Sequence, residues 1–193
     1  QEGIKPVGAE SGTLFIQRAG KSLREFLFSD VELSYISNNI SLLSSHLLVD
    51  PIDMALRKAT STDDGDLLLL CNTDGTLATY SILRGQNVIA PSLSITDGEF
   101  INVGVDVDTI YCINKRTINS ATKYYVETWN DDNTTDSSIL FTGGTKPSST
   151  TLSGLSHLQG KTVKVIADDA MQNDKVVNGS GQITLDAVPT TYV

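Results

Sequence analysis

The alternation of apolar and polar positions predicts β-strands along most of this chain. The clearest pair lies at 66–83, DLLLLCNTDGTLATYSIL, where the apolar run 67–71 is short enough for a buried strand and 76–82 is rich in strand formers. The turn between them, 72–75, ends in Gly75, which can take a positive φ without strain from a Cβ. The stretch therefore predicts a tight β-hairpin.

A second hairpin is predicted from TLFIQ at 13–17 and LREFLF at 23–28. Alternation in the second of these strands puts Leu23, Glu25 and Leu27 on one face and Arg24, Phe26 and Phe28 on the other. Other segments have the same strand character. They are 52–59, 87–95, 99–107, 109–115 and 124–129, followed by 139–142, 162–167 and 182–187.

One segment, SLLSSHLLV at 41–49, favours a short helix. Ser41 is suited to cap its first turn, Leu43 and Leu47 would lie on one face, and Pro51 would stop it. Closely spaced short strands with one small helix predict an all-β, mainly antiparallel fold.

The composition changes at Asn130, where the polar stretches 130–138 and 143–153 begin. We expect a mainly β domain at 1–129, propeller-like or a sandwich, and a small β-barrel or sandwich module at 130–193. Because the chain opens without an initiator Met and ends inside a predicted strand, we also expect a fragment of a longer protein, with an incomplete second module.

Charge narrows the classes of function. The net charge is −9, from 14 basic and 23 acidic residues, and both predicted domains are acidic. Because binding to a phosphate backbone requires clustered Lys and Arg, a nucleic-acid-binding surface is not expected. No apolar stretch approaches the roughly 20 residues that span a bilayer, and no membrane insertion is expected.

Candidate chemistry is sparse. His46 and His157 are the two histidines, and we expect structural roles for both. Cys71 and Cys112 lie in apolar runs and predict buried free thiols. Aspartate clusters leave a Ca²⁺ site open as an alternative, although none has the EF-hand spacing. These clusters are 63–66, 106–108, 131–136 and 168–169. No catalytic residue, cofactor or metal is predicted, and the chain is not expected to be an enzyme.

Six blocks of the chain resemble, in order, the large tubular or nozzle-type tail proteins of short-tailed bacteriophages and prophages. The most specific parts are Arg116-Thr117-Ile118-Asn119 with Tyr125-Val126-Glu127, and GLSHL at 154–158 with GKTV at 160–163. The six blocks are GTLFIQRAGKSLREF at 12–26, DPIDMALRKA at 50–59, DGTLATYSILRGQNVIA at 74–90, INKRTINSATKYYVETW at 113–129, LSGLSHLQGKTVKVIADD at 152–169 and VVNGSGQITLDA at 176–187.

The resemblance implies a structural protein of the virion tail, assembled in the cytoplasm of the bacterial host. Its partners would be other copies of itself and neighbouring tail proteins, with DNA at most as a cargo that does not stick. It implies propeller-like and small barrel or sandwich parts, and a role without enzymatic activity or cofactor.

Five residues near the domain boundary are candidates for a subunit or domain interface. Arg116 is suited to pair with a carboxylate such as Glu127, the alternative being a solvated strand end. Tyr124, Tyr125 and Trp129 concentrate aromatic area, which suits packing between modules or between subunits.

A second function remains open, that of a receptor- or carbohydrate-binding β module of a phage or prophage. Exposed loops such as 130–138 would then carry recognition. An exposed aromatic platform with nearby carboxamides would favour this hypothesis. A Ca²⁺-dependent hydrolase built on the aspartate clusters is a third alternative.

Overall fold

The computed structural model describes residues 3–10, 12–60, 64–130, 135–139 and 149–190, and these form an antiparallel β structure. The all-β prediction is therefore confirmed. The chain folds as two compact units, one of residues 1–116 and 124–131, the other of residues 117–123 and 132–193. The boundary predicted from composition lies close to the break after residue 131, while the tip of one hairpin, 117–123, is grouped with the second unit.

The first unit begins with a four-stranded antiparallel meander, called sheet 1 here. The predicted second hairpin is confirmed as its central pair, in which Leu14 lies opposite Glu25. The two outer strands were not predicted from the sequence. In chain order, the strands are β1 (Val7–Gly8), β2 (Thr13–Ile16), β3 (Leu23–Ser29) and β4 (Ser34–Asn39).

Sheet 2 is a second four-stranded meander and contains the central hairpin, which is confirmed. Its turn needs glycine: Gly75 has a φ of +82°, and a Cβ there would meet the Glu99 side chain at 2.8 Å. The strands are β5 (Asp53–Arg57), β6 (Asp66–Cys71), β7 (Leu77–Leu83) and β8 (Val88–Ser94), and a 3₁₀ turn at Arg84–Gln86 precedes β8.

Sheet 3 has three antiparallel strands in the order β11-β10-β9. Its strands are β9 (Glu99–Asp106), β10 (Thr109–Ile118) and β11 (Ala121–Thr128). The register of β9 and β10 shifts between Ile113 and Asn114, which is a β-bulge.

The three sheets stack in chain order, and sheet 2 lies in the middle. Alternate residues of β6 point to opposite sides: Leu68 and Leu70 pack in a core with sheet 1, while Leu69 and Cys71 pack in a second core with sheet 3. This is why the run LLLLC is apolar without alternation. The first strands of the sheets meet, β1 with β5 and β5 with β9.

The predicted helix at 41–49 is wrong in extent and kind. Only Ser45–Leu47 is helical, as a single 3₁₀ turn. Ser41 does not cap it, because its hydroxyl accepts a hydrogen bond from the Leu23 backbone N–H at 2.9 Å. Leu43 is 93% exposed while Leu47 is half-buried, so the two do not share a buried face.

The second unit has its own small core, made by six buried aliphatic side chains that include Val165, Val177 and Ile183. The segment 162–167, predicted as one strand, is two, and each pairs with a different partner. Burial alternates along the segment, since Val165 and Ala167 are buried and Lys164 and Ile166 are exposed. The strand predicted at 139–142 lies outside the described residues beyond Ile139, which is not in a strand.

The strands of the second unit pair as three short ladders, and the described residues form no closed barrel. The pairs are β12 (Thr151–Leu152) with β17 (Ile183–Thr184), β13 (Thr162–Val163) with β16 (Lys175–Val176), and β14 (Ile166–Ala167) with β15 (Ala170–Met171). A 3₁₀ turn, Ser156–Leu158, follows β12.

Candidate assembly surface

The outer face of sheet 1, on the side away from sheet 2, carries an exposed group of aromatic side chains. Alternation along β3 sends Phe26 and Phe28 outward, and Tyr35 lies opposite Phe28 on β4. The rings of Phe26 and Tyr35 stack with centroids 5.1 Å apart and planes 7° apart. Phe28 meets Tyr35 edge-on at 5.3 Å. Phe15 on β2, half-buried, extends the same face.

Arg24 lies on this face and is held in place by its neighbours. Its Nε donates to Ser37 Oγ at 2.9 Å and its Nη2 to the Ser37 carbonyl at 2.7 Å. Its Nη1 donates to the Gln17 carboxamide oxygen at 3.3 Å. All three guanidinium nitrogens of Arg24 therefore donate hydrogen bonds to neighbouring residues of the chain. The aromatic group is the part of this face that remains accessible to a partner.

The outer face of sheet 3 is apolar in the same way. Along β10 the buried residues alternate with Tyr111 and Ile113, which are exposed. On the neighbouring strand β11, Tyr124 and Val126 also point to solvent, with Val126 73% exposed. Both ends of the three-sheet stack thus present large apolar side chains, whereas β6 and β7 of sheet 2 are covered on both faces.

The predicted pairing of Arg116 with Glu127 is confirmed. Arg116 Nε and Nη2 each donate to one oxygen of Glu127 at 2.6 Å, and Nη1 donates to the Asp97 carbonyl at 3.2 Å. Arg116 is only 3% exposed, so the pair is not the solvated strand end that was the alternative. Asn114 Nδ2 also donates to Glu127 at 2.6 Å, while its buried Oδ1 accepts no hydrogen bond from the described residues.

The three aromatic candidates separate onto different sides of the sheet. Tyr124 is exposed on the outer face of sheet 3. Trp129 packs in the core between sheets 2 and 3, and its backbone N–H donates to the Ile110 carbonyl at 3.0 Å. Tyr125, half-buried, alternates with Tyr124 and so shares the side of Glu127 and Trp129. Whether any of these five residues forms an interface stays a prediction.

A second charged pair, between Glu25 of sheet 1 and Arg84 beside sheet 2, was not predicted. Glu25 is 1% exposed, and both of its carboxylate oxygens accept hydrogen bonds from the Arg84 guanidinium, Nε at 3.1 Å. The sequence signal was present, because alternation already placed Glu25 on the face of Leu23. A carboxylate on a buried face needs a cation, and the tertiary fold supplies it.

Neither cysteine is placed to act as a nucleophile. Cys71 and Cys112 are buried free thiols, as predicted, and both pack in the core between sheets 2 and 3. Burial raises the pKa of Cys71 to about 12, with smaller contributions from Asp53 and Cys112. Burial, and then Glu127, raises the pKa of Cys112 to about 11. Both thiols therefore stay protonated near neutral pH.

Several aspartates in the described regions accept hydrogen bonds from backbone N–H groups. Asp66 accepts from the N–H groups of Glu10 and Ala59, and Asp53 accepts from that of Val103 at 2.9 Å. Asp74 accepts from Thr76 within the central hairpin turn. In the part of the chain that the structure describes, no three His, Cys, Asp or Glu side chains are grouped as metal ligands would be. His46 is exposed and His157 half-buried, in different units.

No helix among the described residues is both long and apolar enough to cross a membrane. A comparison with protein-family models finds no match, and a search of curated proteins finds none.

Sequence reasoning found the alternation that creates the aromatic face but did not assign that face a role. Phe26 and Phe28 were placed together with Arg24, yet β4 was missed, so Tyr35 had no position. On sheet 3 the predicted strands contained Tyr111, Ile113 and Val126. Which side of a strand stays uncovered is a property of the stack, and the pattern of a single strand does not contain it.

Proposed function

We propose that this chain is part of a structural component of a bacteriophage tail, a tube- or nozzle-type virion protein that acts through subunit assembly. The observation that carries the proposal is the pair of exposed apolar faces at the two ends of the sheet stack. Exposed apolar faces of this kind mark protein interaction sites in soluble proteins.

The segments that resemble tail proteins support the same proposal. The block at 12–26 contains Phe15 and Phe26 of the outer face of sheet 1, and the block at 113–129 contains Ile113, Tyr124 and Val126 of the outer face of sheet 3. The resemblance therefore includes residues of the surface through which assembly would occur. The partners would be other copies of the protein and neighbouring tail proteins, in a virion assembled in the host cytoplasm.

The role we propose requires neither catalysis nor a cofactor. The buried charged side chains Glu25 and Arg116 have ion-pair partners, and the buried thiols are protonated near neutral pH. If the assembled protein surrounds a DNA channel, its acidic charge would keep the duplex from sticking to it during passage.

Electron microscopy and mass determination of the full-length parent protein, co-expressed with the products of neighbouring genes, test this proposal. We expect rings or a stacked tube of fixed subunit number. A stable monomer that does not bind the products of the neighbouring genes would contradict it.

The alternative, a carbohydrate-binding or receptor-binding module, is favoured by one specific observation. Phe26, Phe28 and Tyr35 form an exposed aromatic platform, and the Gln17 carboxamide is bonded to Arg24 on the same face. Sugars commonly stack on such rings because the ring faces are apolar. The platform lies on β3 and β4 and not in the loop 130–138 that the sequence suggests for recognition, of which the structure describes residues 130 and 135–138.

A glycan array probed with the chain tests the alternative. Retention of a glycan that is lost in Tyr35→Ala and kept in Tyr124→Ala, on the other apolar face, would support it. No retention, or equal loss in both variants, would contradict a platform site.

A further inference from the structure

The turn between β16 and β17 contains the one asparagine of this sequence that is followed by glycine, Asn178. Asn178 and Gly179 are both exposed. Two backbone hydrogen bonds close the turn, from the Asn178 N–H to the Gln182 carbonyl at 2.9 Å and from the Gly181 N–H to the Asn178 carbonyl at 3.0 Å. The Asn178 carboxamide is therefore open to solvent while its backbone is held in place.

The Asn178 side chain is also held, through its oxygen. Oδ1 accepts hydrogen bonds from the backbone N–H groups of Ser180 at 2.9 Å and Gln182 at 3.0 Å. Both partners can only donate, so the atom that faces them is the oxygen and not Nδ2. Among the described residues, neither Nδ2 nor the Gly179 N–H has a hydrogen-bond partner.

The two glycines of the turn differ in why they are glycine. Gly181 has a φ of +69°, and a Cβ there would lie 2.7 Å from the Ser156 backbone nitrogen, so the fold requires glycine at this position. The φ of Gly179 lies outside the left-handed region, and a Cβ there would meet no atom within 4 Å. Neither demand explains glycine at 179, where its effect is to leave the backbone nitrogen beside the Asn178 carboxamide uncrowded.

We propose that Asn178 is a site of spontaneous modification, at which a succinimide ring forms and then opens to aspartate and isoaspartate. Hydroxide removes the proton from the Gly179 backbone nitrogen, and this nitrogen forms a bond to Asn178 Cγ. The bond from Cγ to Nδ2 breaks, and Nδ2 takes a proton from water and leaves as ammonia. A second water then adds to one of the two ring carbonyls, so that the net change is replacement of NH₂ by OH.

The two N–H groups at Oδ1 favour ring closure. As the nitrogen attacks Cγ, negative charge develops on Oδ1, and donors at 2.9 and 3.0 Å lie in the range that stabilises an oxyanion. The attacking nitrogen belongs to the next residue, so the two reacting groups are already joined and no encounter is needed. The site is independent of the assembly function proposed above.

The two products have different consequences for the second unit. Aspartate keeps the backbone unchanged, and its carboxylate can accept from the same two N–H groups. Isoaspartate adds one carbon to the backbone inside the turn. Val177 and Ile183, on either side of the turn, are buried in the core of the second unit. We therefore expect isoaspartate to weaken this core, and Asn178→Asp to leave it intact.

Peptide mapping by mass spectrometry tests the site in the unaltered chain, incubated at mildly alkaline pH either folded or unfolded in urea. We expect the peptide that contains Asn178 to gain the mass difference between OH and NH₂, at a rate that rises with pH because hydroxide removes the proton. The folded chain should react at least as fast as the unfolded chain. Slower conversion in the folded chain would mean that the turn protects Asn178, and the proposal would be wrong.

A pair of glycine substitutions tests the attacking nitrogen. Gly179→Ala should slow the conversion of Asn178 about tenfold, because the added Cβ crowds that nitrogen. Gly85→Ala is the matched control, since a Cβ at Gly85 also meets no atom within 4 Å and Gly85 lies in the first unit. Circular dichroism checks that both variants are folded. Equal rates in the two variants and the unaltered chain would overturn the proposal.

Discussion

The Arg116 side chain shows how burial changes the importance of an ion pair. At a solvated strand end, a pair of this kind contributes about 0 to 1 kcal/mol. Here Arg116 is 3% exposed and makes two short hydrogen bonds to Glu127. Removal of one partner from a buried pair leaves an uncompensated charge, which is far more costly than the loss of a surface pair.

We therefore predict that Glu127→Gln lowers the free energy of unfolding by about 2 kcal/mol, below the range for fully buried pairs because Glu127 is partly exposed. Urea unfolding measures it. Glu99→Gln is the matched control, because the pair of Glu99 with Lys115 is exposed. Equal effects of the two substitutions would mean that burial of Arg116 does not matter.

The two buried thiols predict how stability depends on pH. In the unfolded chain each thiol has a pKa near 9.0, and in the native state these values rise to about 12 for Cys71 and about 11 for Cys112. Below pH 9 both states keep the protons and the thiols add no pH dependence. Above it the unfolded state ionises first, so it binds fewer protons than the native state and stability falls.

We expect the free energy of unfolding to fall above pH 9 by up to about 1.4 kcal/mol per pH unit for each thiol. Urea unfolding between pH 8 and about pH 10 measures this slope. The double variant Cys71→Ala/Cys112→Ala should have a shallower slope, whatever its stability at neutral pH. Identical slopes in the two proteins would contradict the assignment.

At the scale of an element, the segment 41–49 shows tertiary contacts overriding a helical pattern. Ser41 bonds the Leu23 backbone, the Ser44 hydroxyl lies 3.1 Å from that of Tyr80, and the Asn72 carboxamide bonds the Leu47 carbonyl and the Val49 N–H. These partners satisfy backbone and hydroxyl groups that a helix would otherwise satisfy, so an α-helix is not needed.

Two leucines of this segment separate the predicted helix from the observed structure. Leu48 is buried in the core between sheets 1 and 2. We expect Leu48→Ala to lower the free energy of unfolding by about 2 to 3 kcal/mol. Leu43→Ala should leave stability unchanged, because Leu43 is solvent-exposed. Thermal unfolding compares the two variants. A large loss of stability in Leu43→Ala would instead support the helical face predicted from the sequence.

The strands were predicted where alternation or β-branched residues marked them, and β4 was missed for a physical reason. Its sequence SYISNN is rich in Ser and Asn, which favour turns, and has one aliphatic residue, Ile36. It becomes a strand because β3 provides an antiparallel hydrogen-bonding partner and because Tyr35 packs on Phe26 and Phe28. Neither neighbour can be identified from β4 alone.

At the scale of the whole molecule, acidity predicts how the chain meets DNA. With a net charge of −9, the chain is not expected to release the counterions that tight binding to a phosphate backbone requires. We expect no shift of duplex DNA in an electrophoretic mobility assay at about 0.15 M salt, the physiological ionic strength. Tight binding there would rule out a channel past which DNA slides, and with it that part of the proposed function.

The sequence alone determined the all-β class, the two main hairpins and the buried thiols, because each depends on local periodicity and turn chemistry. It also determined that alternation puts Phe26 and Phe28 on one side of β3. Only the tertiary structure decided which sides are covered. The strands β6 and β7 of sheet 2 are buried on both faces, while sheets 1 and 3 are each covered on one. Burial depends on what packs across a face, and a strand's own residues do not specify its neighbour.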